Sequence, residues 1–419
     1  MVLKKYKPKI VAVTGTVGKT STKDAIYTAL SKSLSIRKAR KSQNSDIGLP
    51  LTILGTKNPT NSTSAREWLE VLIEGVKLIL FPNHYPEWLV LELGADHPGD
   101  IESATKWVRP DVSVITKLSK VPVHVEFFAS VEEVIKEKGY LAQALKSPGT
   151  LILNADDEDV VSFKDLTSEK VLYFGEASTA DIVLENYAVS YDSRDLPDGI
   201  MFDVYYRAQD SRFPVMLKGT LGRHLVYPIL AALAVTEATG ENVLAAAKTF
   251  RTHEPTPGRM RIIEGERGSV IIDDTYNSSP VALEEALLTL NSLHKSKRKI
   301  AVLGDMLELG KFSIDEHKKA GVLAAECSDM LVTIGQRSKY AAEAARQSGL
   351  GEVREFDDSR EAGIFLKGII ETGDAVLVKG SQGIRAERVV EMLMKHPEEK
   401  ERLLVRQDQE WIQRDRKHK

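Results

Sequence analysis

The stretch from Val13 to Leu30, VTGTVGKTSTKDAIYTAL, limits the possible folds of this chain more than any other segment. It follows the apolar run KIVAV, which is typical of a buried strand, and after it the apolar residues recur with helical spacing. The order is therefore strand, glycine-bounded turn, helix. Gly15 and Gly18 allow the backbone to bend until several N–H groups point at one anion, and the helix N-terminus adds positive potential. The alternative is an ordinary turn that contains glycine.

The side chains of this turn are those that bind a nucleoside triphosphate. Lys19 supplies a mobile cation, and the Thr20 hydroxyl suits a magnesium ion. Val13 stands where the usual P-loop pattern has its first glycine. We predict a P-loop that binds ATP and Mg2+, with the nucleotide-binding residues Gly15, Thr16, Gly18, Lys19, Thr20 and Ser21.

Composition places the chain among soluble globular proteins. Its 419 residues are 42% hydrophobic and 28% charged, which is enough for two or three domains. The net charge of -3 gives no general reason to expect nucleic acid or an anionic membrane as a partner, and the lysines at positions 4, 5, 7 and 9 are expected to be a solvated lead-in. The single cysteine, Cys327, cannot form an internal disulfide, and no apolar run is long enough for a signal sequence or a membrane span. A cytoplasmic location is expected.

Strand and helix patterns alternate along the chain, which predicts an α/β protein with doubly wound parallel sheets. Strands are expected at 88–95, 112–116 and 150–155, and the short alternating runs of 181–218 predict an antiparallel section at the sheet edge. The segment 252–259 contains two prolines and a glycine and predicts a domain boundary. We expect a P-loop NTPase-like domain at 1–252, a second, Rossmann-like domain at 253–396, and a charged helical tail at 397–419.

Glu92 lies inside the apolar run LVLELGA, where a charge is costly unless it is paired or bound to a metal. Its predicted partner is the magnesium that Thr20 would hold, and the alternative is a basic side chain. His124 follows the next strand, and Lys138 lies one helix later. Taken alone, a single histidine is more often a packed or surface residue, and a lysine in a KEK cluster is usually solvated.

Polar residues also follow three strands of the second domain, where ligands of open α/β sheets bind. We expect them to line a cleft facing the linker that carries Arg259, with the reaction between the domains. They are Asp273, Asp274 and Asn277, then Asp305 and Glu308, then Lys379, Ser381 and Arg385.

These motifs together resemble the Mur ligase family, in particular its D-alanyl-D-alanine-adding branch. They occur in family order over nearly all of residues 8–395: VTGTVGKTSTK, SQNSDIGLPLTIL, LELGADHPGDI, VHVEFFASVEEVIKEKG, LNADD, PGRM, IIDDTYNSSPVAL, VLGDMLELG with His317 after it, and VLVKGSQGIR. The resemblance implies ATP-dependent amide-bond formation, in which a substrate carboxylate becomes an acyl phosphate that the amine of an amino acid or dipeptide attacks. The implied acceptor is a peptide-like carboxylate of cell-wall synthesis.

The resemblance also implies roles for single residues. Lys19 and Thr20 match the phosphate and magnesium residues, and Glu92 and His124 match metal ligands. Lys138 matches a lysine that is carbamylated in many members, whose adduct helps to bind a second magnesium. Arg259 and Asp274 match residues that contact ATP, and Asn277 is expected near the nucleotide. The implied catalytic residues are Lys19, Glu92, His124, Lys138 and Arg259, and the implied metal residues are Thr20, Glu92, His124 and Lys138. Replacing Lys19 or Glu92 by alanine should abolish acyl-phosphate formation and leave the fold intact.

The sequence departs from the family pattern in two places. The family has G-x-H-N-x-x-N-A before an alanine-rich helix, with both asparagines serving the nucleotide, whereas Leu225 and Pro228 stand at those positions here. The D-alanyl-D-alanine-adding enzymes begin with a domain that holds a UDP-sugar peptide, whereas here the P-loop lies at the start of the chain, as in folylpolyglutamate synthases. Three alternatives follow: the chain works without that domain, another chain supplies it, or the acceptor is different, such as a folate or a polyglutamate. A module that binds nucleotide without catalysis is a further alternative.

Overall fold

A computed structural model describes residues 1–39, 48–56, 59, 64–118, 128, 130–252, 254–407 and 411. Its contacts divide the chain into two compact units. The first comprises Met1–Asn186, Phe202–Val215 and His224–Phe250, and the second comprises Tyr187–Met201, Met216–Arg223 and Arg251–Lys419. Among the residues described, no helix has both the length and the apolar character needed to cross a membrane.

A nine-stranded sheet is the framework of the P-loop region, in the order β2-β3-β1-β4-β5-β6-β7-β8-β9. Neighbours from β2 to β7 are parallel. The strands are β1 Lys9–Thr14, β2 Ile36–Lys38, β3 Trp88–Glu92, β4 Val112–Ile115, β5 Thr150–Asn154, β6 Lys170–Gly175, β7 Ile182–Tyr191, β8 Pro197–Tyr206 and β9 Ser211–Lys218. The last three fall in the segment predicted to form an antiparallel edge, and short turns join them.

Helices precede, connect and follow the strands of this sheet. They are α1 Val2–Tyr6, α2 Lys19–Leu30, α3 Gly48–Leu54, α4 Ala65–Leu80, α5 Asp100–Thr105, α6 Val131–Gln143, α7 Glu158–Val161, α8 Val226–Thr239 and α9 Val243–Thr249. The central strand β1 is buried because helices cover both faces of a parallel sheet, and its residues Val11, Ala12 and Val13 are 0% exposed. Since β1 lies between β3 and β4, the order reverses beside it, and ligands bind at the carboxyl ends of strands at such a point.

The second unit contains a six-stranded sheet in the order β10-β11-β15-β12-β13-β14. Only β10 is antiparallel, to β11. The strands are β10 Arg261–Glu264, β11 Val270–Asp274, β12 Arg298–Gly304, β13 Met330–Ile334, β14 Glu352–Phe356 and β15 Asp374–Lys379. The helices are α10 Pro280–Asn291, α11 Ser313–Cys327, α12 Lys339–Gln347, α13 Ser359–Ile369, α14 Glu387–Leu393 and α15 Lys400–Leu403. The predicted α/β fold class is confirmed.

Candidate active site

The turn after β1 has the geometry of an anion-binding loop. Gly15 has a φ of 144° and Gly18 a φ of 88°, so that both lie where side chains are strained. A Cβ atom on Gly15 would lie 2.0 Å from Thr116 Oγ1, which leaves no room for another residue. Gly18 is the N-cap of α2, and the first-turn N–H groups of a helix have no intrahelical acceptor. The sequence therefore folds into a turn whose backbone donors can converge on one anion.

Lys19 lies over this turn. Its Nζ donates to Gly15 O at 2.9 Å and Thr16 O at 3.3 Å, which holds the ammonium group at the mouth of α2. Thr16 Oγ1 is buried and, within the described part of the chain, has no hydrogen-bond partner. A buried hydroxyl without a partner is costly, so an acceptor such as a phosphate oxygen would stabilise it. Ser21 lies in the first turn of the same helix and is half-buried.

Glu92 lies beside Thr20, as the motifs predicted. Glu92 ends β3, which pairs with β1 so that Glu92 is opposite Val13. Thr20 Oγ1 donates to Glu92 Oε1 at 2.9 Å. The second carboxylate oxygen lies 3.7 Å from Lys23 Nζ, and both of these side chains are 1% exposed. The basic side chain weighed as the alternative partner is therefore present as Lys23, and the magnesium predicted between Thr20 and Glu92 stays a prediction.

Lys23 was not singled out in the sequence. It lies one helical turn after Lys19 on α2, and residues four apart on a helix share a face. The spacing of four residues could have identified Lys23 as a partner of Glu92, because a lysine on the same face of α2 as Lys19 is directed toward the neighbouring strand β3.

Lys138 lies on α6 and is 3% exposed. Its pKa is lowered to about 7, mainly by burial and next by the charge of Lys19, while Glu137 and Asp96 oppose the change. The mutual effect of Lys138 and Lys19 means that Lys138 lies within electrostatic reach of the P-loop. Near neutral pH the amine is therefore about half uncharged and can act as a nucleophile.

Glu137, the neighbour of Lys138, joins α6 to the segment that follows β3. Its carboxylate accepts hydrogen bonds from Gly99 N at 3.0 Å, Ile101 N at 2.6 Å and Glu102 N at 3.0 Å. These donors belong to the start of α5, where a negative charge is favourable. The contact fixes the position of α6, and therefore of Lys138, against the end of β3.

His124 lies outside the described residues. Across the ranges that the structure does describe, no group of three or more His, Cys, Asp and Glu side chains forms a metal site. The donors that are present nevertheless fit magnesium, because the Thr20 hydroxyl and the Glu92 carboxylate are oxygen donors within hydrogen-bond distance of each other.

The two departures from the family pattern lie at the start of α8. Leu225 precedes the helix, and Pro228 is its third residue and buried. Proline is tolerated there because the first-turn N–H groups have no acceptor within the helix. Between these positions, Tyr227 Oη lies 2.9 Å from Asp156 Oδ2 and 3.1 Å from Glu176 Oε1, and burial together with these carboxylates raises its pKa. Sequence reasoning missed Tyr227.

In the second unit, two carboxylates at the end of β11 hold the segment that carries Arg259. Gly258 N donates to Asp273 Oδ2 at 3.1 Å, and Met260 N donates to Asp274 Oδ1 at 3.2 Å. The backbone is thus held on both sides of Arg259. Asp273 is fully buried, and burial raises its pKa to about 6.

The side chains around Arg259 are ordered by further contacts. Its guanidinium carbon lies 4.1 Å from the centre of the Tyr276 ring, a cation–π distance. Lys379 Nζ lies 2.5 Å from Asp274 Oδ2 and donates to Asn277 O at 3.0 Å. Asp274, expected to contact ATP, therefore has both carboxylate oxygens engaged by the protein, and its nucleotide contact stays a prediction.

Several of the other polar strand ends satisfy backbone groups of the same unit. Asp305 Oδ1 accepts from Arg337 N at 3.0 Å and Ser338 N at 2.8 Å. His317 is buried, its Nε2 accepts from Met306 N at 3.0 Å, and burial lowers its pKa. Leu307 N donates to Ser381 Oγ at 2.9 Å. His317 and Ser381 thus hold the loop after β12, and Asp305 links that loop to the one after β13.

Comparison with known proteins defines the class to which this fold and P-loop belong. The Mur ligase middle domain matches residues 13–236, and the Mur ligase, glutamate ligase domain matches residues 258–382. The chain belongs to the Mur ligase family, which confirms the resemblance and the predicted class of enzyme, an ATP-dependent ligase.

Individual relatives align with almost the whole of this chain. The UDP-N-acetylmuramoyl-tripeptide--D-alanyl-D-alanine ligase of Bacillus subtilis (strain 168) is 28% identical over 94% of this chain and 78% of its own length. The MurF ligase of Thermotoga maritima, solved in complex with ADP, is 28% identical with a TM-score of 0.76, covering 95% of this chain and 82% of that one. The folylpolyglutamate synthase of Mycobacterium tuberculosis, complexed with ADP, has a TM-score of 0.64 at 15% identity over 93% of both chains, which shows a shared fold alone.

Proposed function

We propose that this chain uses ATP to join D-Ala-D-Ala, or a similar amino acid or dipeptide, to the carboxylate of a peptidoglycan-precursor-like peptide. The observation that carries the proposal is the meeting of Thr20 and Glu92 at the mouth of a P-loop that contains Lys19. The names of the relatives supply the substrate class, since the Bacillus subtilis protein is a ligase for UDP-N-acetylmuramoyl-tripeptide and D-alanyl-D-alanine.

The chemistry follows from the weak electrophilicity of a carboxylate. A carboxylate oxygen attacks the γ-phosphorus, ADP leaves, and the acyl phosphate that forms has a good leaving group. The amine nitrogen then attacks the acyl carbon, phosphate leaves with the bonding electrons, and the nitrogen loses its extra proton. Lys19 and the donors of the Gly15–Gly18 turn would stabilise the charge of the transferring phosphoryl group. Arg259 is proposed to contribute to the same stabilisation.

Magnesium, when bound, would neutralise phosphate charge, and Thr20, Glu92 and His124 are its proposed ligands. Lys138 is proposed to react with CO2 through its neutral amine, forming an Nζ–C bond and losing a proton. The lowered pKa supports this role, because only the neutral amine has the electron pair for that bond. The product is a carbamate, which is an oxygen ligand instead of a cation. The proposed location is the cytoplasm, where ATP is available.

The test is phosphate release from ATP by the full chain with a panel of acceptors and amines. Release should require UDP-N-acetylmuramoyl-tripeptide and D-Ala-D-Ala together, with a product of the summed mass less one water. Lys19→Ala should reduce release at least 100-fold, whereas the exposed Lys7→Ala serves as the matched control and should retain it.

Other outcomes would replace the proposal. Release with a folate and L-glutamate would make this a ligase for another acceptor, and ATP binding without acceptor-dependent release would make it a nucleotide-binding module. The panel is repeated with cell extract depleted of this chain, because a second chain that supplies a UDP-sugar-binding domain would restore release with the UDP-sugar peptide.

A further inference from the structure

The outer face of α4 is apolar and exposed. Five side chains of this helix, together with Phe81 directly after it, are between 44% and 67% exposed: Leu69, Leu72, Ile73, Val76 and Leu80. The side of α4 that meets the protein buries Gly75 and Leu78. A helix with apolar residues on opposite faces is normally buried on both, so the outer face of α4 has the composition of a buried surface.

The exposed residues form one continuous stripe. Positions 69, 72, 73, 76 and 80 follow the i, i+3, i+4, i+7, i+11 spacing, which places them on one face of a helix. Single exposed apolar residues are ordinary, but six neighbours of this size and exposure form a patch of roughly 600 Å2, at the upper limit for a monomer. Such a patch marks a contact with another apolar surface.

The basic residues of α4 lie closer to this stripe than the acidic ones do. At 100° per residue, Arg66 and Lys77 project about 60° and 80° from the direction of Leu69, whereas Glu70 and Glu74 project about 100° and 140° from it. The Arg66 side chain is 89% exposed and that of Lys77 is 55% exposed. Each is paired with a glutamate of the same helix, Arg66 with Glu70 at 3.3 Å and Lys77 with Glu74 at 2.7 Å, and such exposed pairs are weak. Long basic side chains beside an apolar face can therefore exchange these partners for external anionic groups while their stems stay in apolar surroundings.

A group of lysines lies at the C-terminal end of α4. Lys5 Nζ donates to the carbonyl oxygens of Leu78, Ile79 and Phe81 at 2.9, 3.0 and 2.7 Å, which holds α1 against this end. Lys4 and Lys7 of the same segment are exposed. From the sequence, these N-terminal lysines were expected to be solvated, and no membrane partner was expected because the net charge is near zero. Net charge is an average over the whole chain, however, and does not show that these lysines lie beside an apolar stripe.

We infer that α4 and α1 form a docking surface for an anionic lipid bilayer. The apolar stripe would enter the boundary between headgroups and acyl chains, with α4 in the plane of the surface and Lys4, Lys7 and Lys77 over anionic headgroups. Its 16 residues are fewer than the roughly 20 that span a bilayer, which favours this orientation. A second copy of the chain is the alternative occupant, and the experiment distinguishes it from a bilayer. This surface is independent of the proposed reaction.

The experiment is co-sedimentation of the full chain with vesicles of phosphatidylcholine alone or with 30% phosphatidylglycerol. Wild type should bind the anionic vesicles at least tenfold more tightly than the neutral ones. Leu72→Gln with Leu80→Gln should weaken binding at least tenfold, whereas Leu288→Gln with Ile364→Gln, which removes two similarly exposed apolar side chains from α10 and α13, should not.

The lysines are tested separately. Lys4→Gln with Lys7→Gln should weaken binding to anionic vesicles about tenfold or more and leave neutral vesicles unaffected. Lys32→Gln with Lys318→Gln, at two exposed lysines elsewhere, is the matched control. Ligase activity without vesicles should be unchanged in all four variants.

Hydrogen exchange gives a readout that needs no variant: anionic vesicles should slow exchange in residues 65–81 more than elsewhere. The inference is overturned if the vesicles do not bind, if protection falls outside α4 and α1, or if the Leu72/Leu80 variant binds like wild type. It is also overturned if ultracentrifugation shows a dimer in wild type that the same variant abolishes, since the stripe would then contact a second copy.

Discussion

At the scale of single residues, Lys23 changes what is expected of Glu92. The sequence suggested that Glu92→Ala would leave the fold intact, but Glu92 is 1% exposed and lies 3.7 Å from the equally buried Lys23. Removing one member of a buried charge pair leaves the other charge in a poorly solvating environment. Glu92 is therefore expected to contribute to stability as well as to catalysis, whereas Lys19 is half-buried and the original expectation stands for it.

A double-mutant cycle measures this pair. Glu92→Gln and Lys23→Met should each lower the free energy of unfolding by about 3 kcal/mol or more, and the double variant should lose at least about 1 kcal/mol less than the sum. Urea unfolding gives the three values. The exposed pair Arg66 and Glu70 is the control and should couple by less than about 1 kcal/mol. Strict additivity at Lys23 and Glu92 would contradict the assignment of a buried pair.

Lys138 predicts how stability depends on pH. Its pKa is about 7 in the folded chain, against an ordinary value of 10.5. Between these values the unfolded chain carries a proton that the folded chain lacks, so the free energy of unfolding rises with pH by up to about 1 kcal/mol per unit. Above pH 10.5 Lys138 is neutral in both states and the gain in stability is complete. Below pH 7 the folded chain carries the buried charge, and the free energy of unfolding is reduced by its full cost.

Lys138→Met removes that contribution. From pH 7.5 to 9.5 the stability of wild type should rise relative to the variant by roughly 2 kcal/mol. Urea unfolding in buffers freed of CO2 is the measurement, because carbamylation would otherwise alter the charge of Lys138. Equal pH dependence of the two proteins would show that Lys138 titrates normally.

At the scale of elements, the turn between β1 and α2 is fixed by glycine. Gly15→Ala would place a methyl group 2.0 Å from Thr116 Oγ1 at a φ of 144°. It should lower the free energy of unfolding by more than about 2 kcal/mol and weaken ATP binding. Gly368→Ala is the contrasting control: Gly368 lies in α13, no atom lies within 4 Å of its added Cβ, and the change should stabilise by about 0.5–1 kcal/mol. Urea unfolding measures both variants. A Gly15→Ala variant with the same free energy of unfolding as wild type would contradict the turn geometry.

Burial explains which elements could be predicted from the sequence. Strands such as β1 and β4 are covered on both faces and form apolar runs in the sequence, which located them within a residue or two. β14, at the sheet edge, has mostly exposed side chains and gives no such run, and it was not predicted. The helix α4 was not predicted as a separate element, although its exposed apolar residues recur with helical spacing.

The candidate site likewise has a part that the sequence predicted and a part that it did not. The motifs predicted that Thr20 and Glu92 lie close together, because the P-loop and the end of the neighbouring strand meet in any fold of this topology. The contacts of Asp305 and His317 depend on where distant backbone N–H groups lie, and no local pattern encodes that. Asp305 was expected to line a cleft, and in the structure its carboxylate accepts hydrogen bonds from backbone N–H groups of its own unit.

At the scale of the whole molecule, the compact units do not follow the chain in simple order. Met216–Arg223 precedes the predicted boundary at 252 but groups with the second unit. Backbone hydrogen bonds show why: Leu221 N donates to Met260 O at 3.0 Å, and Ile262 N donates to Gly219 O at 2.9 Å. A cut at the predicted boundary would separate these partners.

Hydrogen exchange tests this grouping in the intact chain. Leu287 is fully buried in α10 of the second unit, and Leu287→Ala should destabilise that unit by about 2–5 kcal/mol. Exchange at Leu221 and Ile262 should then accelerate together, because amides of one cooperative unit share its opening free energy. Exchange at Val11 in β1 should change far less and serves as the internal reference. If Leu221 kept the protection of Val11 while Ile262 lost its own, the segment would fold with the first unit, and the boundary predicted from the sequence would be the better division of the chain.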